Sequence, residues 1–184
     1  MAIINIKTYK PKPEDVFIFD SNIWVYLFDK SSVPDQYIEN SIDVYTDFYK
    51  KVLLCNAKIL LTSFNVREIV QTLIKNDFNT YKAMFKDISD TSFKKSYRPS
   101  EYYKNLLVQI KIVISKILKV SEKIQDGFNT FPYEKFLNQD IDFPDEYIAY
   151  IASEQNCFLI THDNDFKNCA FNVDILTANR HLLR

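Results

Sequence analysis

Val16 to Asp20 reads VFIFD, four apolar residues closed by an acid, with no polar residue alternating along the run. A strand wetted on one face alternates; a strand buried on both faces does not, and parallel strands of α/β sheets read this second way. Two other stretches share the pattern, Lys58 to Thr62 (KILLT) and Cys157 to Thr161 (CFLIT). Ligands of open parallel sheets bind beyond the carboxyl ends of the strands. Asp20 and the Thr161-His162-Asp163 turn lie at such ends, so their acids are candidates for one shared site.

Working outward, Ser21 or Asn22 is placed to cap a helix beginning near Ile23, which Ser31 to Asp35 (SSVPD) breaks. From Gln36 to about Asn56 apolar residues recur at helical spacing, among them Ile42, Tyr45, Phe48 and Val52. After KILLT, Thr62 and Ser63 cap a third helix running to about Asn76, and a short helix is expected near Tyr81 to Ile88. A polar stretch then reads as a loop before a long helix from Ser100 to about Gln125, ended by Gly127. Phe128 to Phe131 reads as a strand, Asp142 caps a helix with Pro144 in its first turn, and Val173 to Leu176 forms the last strand. The alternation of strands and helices predicts an α/β fold of three layers, α/β/α, around a parallel sheet.

A chain of 184 residues is long enough for one domain with a real core. Its 47% hydrophobic and 26% charged content is that of a globular protein, and no apolar stretch has the roughly 20 residues of a membrane helix. The amino terminus lacks an apolar core with a cleavage site, which predicts a cytoplasmic location. Cys55, Cys157 and Cys169 have no CxxC spacing and read as free thiols. Gly127 is the only glycine, which argues against Rossmann and P-loop nucleotide binding, since both need several. With His162 and His181 the only histidines, zinc is poorly supported. A net charge of −1 leaves any nucleic-acid binding to a local basic patch or to metal ions.

Five acids stand where strands end or helices begin: Asp20, Glu68, Asp145, Asp163 and Asp165. Each alone has an ordinary structural reading. Asp145 and Glu146 suit a helix dipole, Asp163 to Asp165 suits an Asx turn, and Glu68 suits a solvated helix face. Together they point to one site, because carboxylates within about 5 Å repel by a few kcal/mol per pair and call for a cation. Oxygen-only ligands suit Mg²⁺ or Mn²⁺, and the natural reaction of such a site is phosphodiester hydrolysis.

These segments resemble the PIN-domain family of metal-dependent nucleases, which includes the VapC-like ribonucleases. The matching motifs are FIFDSN with Asp20, TSFNVREIV with Glu68, DFPDEYIAYIA with Asp145, and LITHDNDF with Asp163 and Asp165. The last is the most specific, and the four occur in the family's order through nearly the whole chain. The resemblance implies a sheet ordered 3-2-1-4-5 in a single PIN-like domain, with a helical extension at about 79–126. It implies that Asp20, Glu68, Asp145 and Asp163 are catalytic metal ligands, that Asp165 is a further ligand, and that Asn22 and Thr161 support them. It further implies Mg²⁺ or Mn²⁺ as cofactor and an endoribonuclease that cuts single-stranded RNA, leaving a 5′-phosphate. The family also includes toxins of toxin–antitoxin pairs, so an antitoxin protein and a homodimer are the implied partners. Asp142 and Glu146 lie close enough to Asp145 to be its alternatives, and the stretch between Glu68 and Asp145 is long for the compact members.

Other residues carry less. Lys94, Lys95 and Arg98 with Tyr97 between them read either as a nucleic-acid contact or as a solvated loop. His162 reads as a substrate contact or proton carrier or, more simply, as a turn histidine facing solvent, and Trp24 as packing under the first helix. Two other functions compete: a PIN-like module that binds RNA or protein without cutting, and a haloacid-dehalogenase-type phosphatase. The phosphatase needs a second Asp where Asn22 stands.

Overall fold

The computed structural model describes residues 1–29, 36–85, 92–125, 128–136 and 141–184. Six strands form one parallel sheet: β1 (Ile3–Asn5), β2 (Val16–Phe19), β3 (Lys58–Leu61), β4 (Glu122–Lys123), β5 (Phe158–Ile160) and β6 (Ile175–Thr177). Their order is β1-β6-β5-β2-β3-β4. The helices are α1 (Ser21–Phe28), α2 (Gln36–Leu54), α3 (Ser63–Met84), α4 (Glu101–Val120), α5 (Tyr133–Phe136) and α6 (Phe143–Glu154). From β2 onward the order is the expected 3-2-1-4-5. The difference is β1, drawn from the lead-in, which pairs Ile3 with Ile175 at the edge of β6.

The unalternating runs are explained by two cores. Phe17, Phe19, Ile59, Leu61 and Ile160 face one layer with Ile69 and Leu73 of α3 and Ile110 and Ile117 of α4. Ile18, Leu60, Leu159 and Ile175 face the other layer, against Ile148 and Ile151 of α6. Successive side chains of one strand point to opposite faces, so both parities must be apolar here. Almost without glycine, the turns into β3 and β5 use Asn56 at φ 57° and Asn156 at φ 51°, the residue that tolerates the left-handed region best after glycine.

Three expectations are corrected. The third helix does not stop at Asn76 but continues to Met84, taking in the start of the short helix expected near Tyr81. Phe85 caps its end, and residues 86–88 of the expected short helix lie outside the described ones, as do SSVPD and Gly127. The expected strand at Phe128 to Phe131 is a 3-10 turn over Phe128–Thr130. Phe131 after it is buried among Phe143, Tyr147 and Tyr150, so its apolar character serves the α6 layer and not the sheet. The strand on that edge is instead Glu122–Lys123, within what reads as the end of the long helix. The helix stops at Val120, Ser121 turns extended (φ −121°, ψ 146°), and Glu122 pairs with Leu60. The Lys58–Glu122 ion pair at 3.0 Å accompanies that pairing.

Strands β2 and β5 are neighbours, in register from Phe17 with Phe158 to Phe19 with Ile160. The chain leaves β2 toward β3 on one side and returns through β5 and β6 on the other. The crevice at such a reversal is where α/β sheets bind ligands.

Candidate functional site

Asp20 closes β2 in that crevice. Its backbone N–H donates to Ile160 O at 2.9 Å, locking the two strand ends together. It is the N-cap residue of α1, yet its side chain makes no cap bond. Instead its Oδ2 accepts from Thr161 Oγ1 at 2.8 Å and its Oδ1 lies 3.2 Å from Ser21 Oγ. Ser21 is therefore the first helical residue, not a cap, and its hydroxyl also lies 3.1 Å from Glu68 Oε2. Glu68 is brought there by α3, whose first turn is fixed by a capping box. Thr62 accepts from Asn65 N, and Asn65 Oδ1 accepts from Thr62 N.

Thr161 joins this pair to the acidic turn. While donating to Asp20, its hydroxyl accepts from Asp163 N at 3.0 Å. Asp163 Oδ1 in turn accepts from Asp165 N at 3.0 Å, an Asx turn that presents both carboxylates. Asp145, in the first turn of α6, completes the group: one oxygen each of Asp145, Asp163 and Asp165 fall within 4.8 Å of one another. The neighbouring acids point elsewhere. Asp142 is exposed, and Glu146 is buried with Oε1 accepting from Ala170 N at 2.8 Å.

Electrostatics binds the two halves into one site. Burial above all, then Glu68 and Asp163, push the Asp20 carboxyl up to about 7, against the Thr161 hydrogen bond that lowers it. Burial followed by Asp20, Asp163 and Glu68 pushes Asp145 up to about 8. Glu68 is also raised, by burial, with Ser21 and Arg67 opposing. Burial and mutual repulsion of this kind are what a nearby cation offsets. Ser21 moreover has one hydroxyl proton for two carboxylate oxygens, and the amide oxygen of Asn22 is buried with no hydrogen-bond partner. An oxygen-only set short of donors fits a hard divalent cation, Mg²⁺ or Mn²⁺ in type, better than zinc.

Not every expected residue joins. Lys94, Lys95 and Arg98 are exposed on and after a π-helical turn, Phe93–Tyr97, that packs on the far half of α3. Asp77, which that turn contacts, is nine residues beyond Glu68, about 13 Å along the helix axis. Tyr97 is a correction: it is fully buried, its hydroxyl 2.5 Å from Asp77 Oδ2 and its ring against Phe78, Tyr81 and Tyr103, so it is not available to stack on a base. Truncation to Ala should cost about 3–5 kcal/mol, read as a lowered urea midpoint. His162 is a second correction, being half-buried with Nδ1 2.9 Å from the hydroxyl of Tyr45 instead of facing solvent. Trp24 is buried as expected. Sequence reasoning missed Ser21, Asn65 and Tyr45 as site residues; T-x-x-N before an apolar helix was the available sign for Asn65.

The parallel sheet flanked by helices is an α/β architecture consistent with a PIN-like fold. Among solved structures it is similar to VapBC2 from Rickettsia felis, determined bound to a DNA fragment from their promoter. The TM-score is 0.51 at 20% identity, over 88% of this chain and 98% of that one. No protein-family model matches the chain, and no curated protein matches it. No helix among the described residues is long and apolar enough to cross a membrane.

Proposed function

We propose that this protein is a Mg²⁺- or Mn²⁺-dependent endoribonuclease of PIN type that hydrolyses phosphodiester bonds of single-stranded RNA. The observation that supports it most is the convergence of Asp20, Glu68, Asp145, Asp163 and Asp165, remote in sequence, on one crevice with Ser21 and Thr161 between them. In this reading Asp20, Glu68, Asp145 and Asp163 hold the metal, Asp165 adds a ligand, and Thr161 and Asn22 support them. The cation, when bound, supplies charge for a phosphoryl oxygen and acidifies a bound water. The chain's own residues do the rest. Thr161 keeps Asp20 and Asp163 in fixed relation through one hydroxyl, and Ser21 does the same for Asp20 and Glu68. Asp20 and Asp145 release their protons to make room for the cation. Lys94, Lys95 and Arg98 reach the phosphates only of an RNA long enough to extend along α3.

By the resemblance stated above, and in keeping with the likeness to VapBC2, the partner is an antitoxin protein, the assembly a homodimer and the compartment the cytoplasm. The complete set of acids favours an enzyme over a module that only binds. The test is cleavage of an end-labelled single-stranded RNA. Products should appear with added Mn²⁺ and vanish with EDTA; RNA that is bound but never cut under any divalent cation would replace the enzyme with the binding module.

A further inference from the structure

Tyr45, on α2, is fully buried, and its hydroxyl sits beneath the acidic turn at the ends of β5 and β6. Four groups surround that one oxygen. Thr161 O lies at 3.0 Å, His162 Nδ1 at 2.9 Å and Thr177 Oγ1 at 3.3 Å, while Ala178 N donates to it at 2.9 Å. A phenol has one proton to give and two lone pairs to fill. Ala178 N–H can only donate and takes one lone pair. Thr161 O can only accept, and Thr161 is wholly buried, so leaving that carbonyl without a donor would cost about 1–3 kcal/mol. The phenolic proton therefore goes to Thr161 O, and the second lone pair is left for His162 Nδ1, which must carry its own proton to use it. Thr177 Oγ1, which accepts from Asn179 N at 3.0 Å, has a proton that could compete for that lone pair, but its contact at 3.3 Å is longer than the 2.9 Å of His162 Nδ1, a distance that itself calls for a proton between the two atoms. Asn179 Nδ2 holds the backbone of the same histidine, donating to His162 O at 2.7 Å.

We infer that Tyr45 is a positioning residue. It fixes the imidazole of His162 as the Nδ1–H tautomer, leaving Nε2 as an acceptor nitrogen beside the acidic crevice, and ties down the Thr161–Asp163 turn. The tautomer follows from the donors and the contact lengths around one oxygen; its use in orienting substrate rests on the nuclease reading. A hydrogen-bond partner that orients a residue of the site typically changes activity ten- to a hundred-fold, on the order of what groups bonded to metal ligands contribute.

The test is ¹⁵N NMR of histidine-labelled full-length protein at neutral pH without metal, with exposed His181 as internal reference. In the native protein His162 should show a protonated Nδ1 and a bare, pyridine-type Nε2. Tyr45→Phe should return it to the ordinary mixture dominated by Nε2–H. A native His162 carrying its proton on Nε2 overturns the inference, and that measurement needs no variant to fold. So does a Tyr45→Phe protein, folded by its melting curve, with an unchanged tautomer. For the role, Mn²⁺-dependent cleavage by Tyr45→Phe should fall about ten-fold or more in kcat with KM within about two-fold. An unchanged kcat overturns the positioning role. Absence of cleavage by the native protein overturns the nuclease reading while the tautomer stands on its own spectrum.

Discussion

Without metal, the protein should lose stability as pH rises from 5 to 8, and Asp20→Asn should remove the share of that loss that Asp20 contributes. An aspartate in the unfolded chain titrates near 4, whereas in the folded chain Asp20 is pushed up to about 7, chiefly by burial. Between those values the folded state binds more protons than the unfolded one, so the free energy of unfolding falls with rising pH. The penalty is absent below the unfolded value and complete above the folded one. Acting alone, such a rise would be worth about 4 kcal/mol. Asp145 and Glu68 titrate with it and add to the loss, so about 2–4 kcal/mol is the expected scale of the share that Asp20→Asn removes. For a chain of this length that is a fall in Tm of roughly 5–15 °C. Asn in place of Asp20 keeps an oxygen for Thr161 and carries no charge, so the variant should melt higher than the native protein at pH 8 in EDTA. Millimolar Mn²⁺ should then raise the native Tm and leave that of Asp20→Asn nearly unmoved, because only a ligand bound to the folded state stabilises it. Parallel melting curves for the two proteins from pH 5 to 8 would show that Asp20 is not held in a crowded acidic crevice.

The central strands were readable because burial on both faces leaves a mark in composition. VFIFD and CFLIT must be apolar at both parities, and that constraint is local to five residues. The edge strand Glu122–Lys123 was not readable, because nothing about a two-residue polar strand is specified by its own sequence. It exists through pairing with Leu60 and Leu61. Phe128 to Phe131 misled for the opposite reason, an apolar character serving the aromatic layer under α6. Tyr97 misled because a ring among Lys94, Lys95 and Arg98 looks wet, while the wider turn of a π-helix swings it inward onto α3.

The acids divide in the same way. Asp20 and Asp163 could be placed from strand ends alone, since a strand's last residue has one position relative to the sheet. Asp145 could not be separated from Asp142 and Glu146, because three residues in one helical turn point about 100° apart per step and the phase of α6 is set by its packing. That packing puts Tyr147, Ile148 and Ile151 inside, sends Glu146 to Ala170 and leaves Asp145 toward Asp163. The missed Tyr45 belongs to the same class, since an apolar helical stripe does not say which of its rings ends in a hydroxyl that is used.

Substitution of these acids one at a time should therefore give a graded series in Mn²⁺-dependent cleavage. Asp20→Asn and Asp163→Asn each remove charge from the point where the Thr161 hydroxyl joins the two halves of the crevice. Each should lower kcat/KM on the order of 10³-fold, a loss of about 4 kcal/mol in transition-state stabilisation. Asp145→Asn should fall nearly as far, because its carboxylate is within reach of both Asp163 and Asp165. Asp165→Asn should lose less, about ten-fold, since Asp165 is exposed and its backbone N–H still anchors Asp163. Asp142→Asn and Glu146→Gln should stay within about two-fold, one side chain lying in solvent and the other buried against Ala170. The helical phase of α6 makes this last contrast the sharpest: a series in which Asp142 or Glu146, and not Asp145, carries the large loss would mean that α6 is turned by about one residue from its position here. A series in which all six variants keep full activity would mean that the cleaving centre is elsewhere.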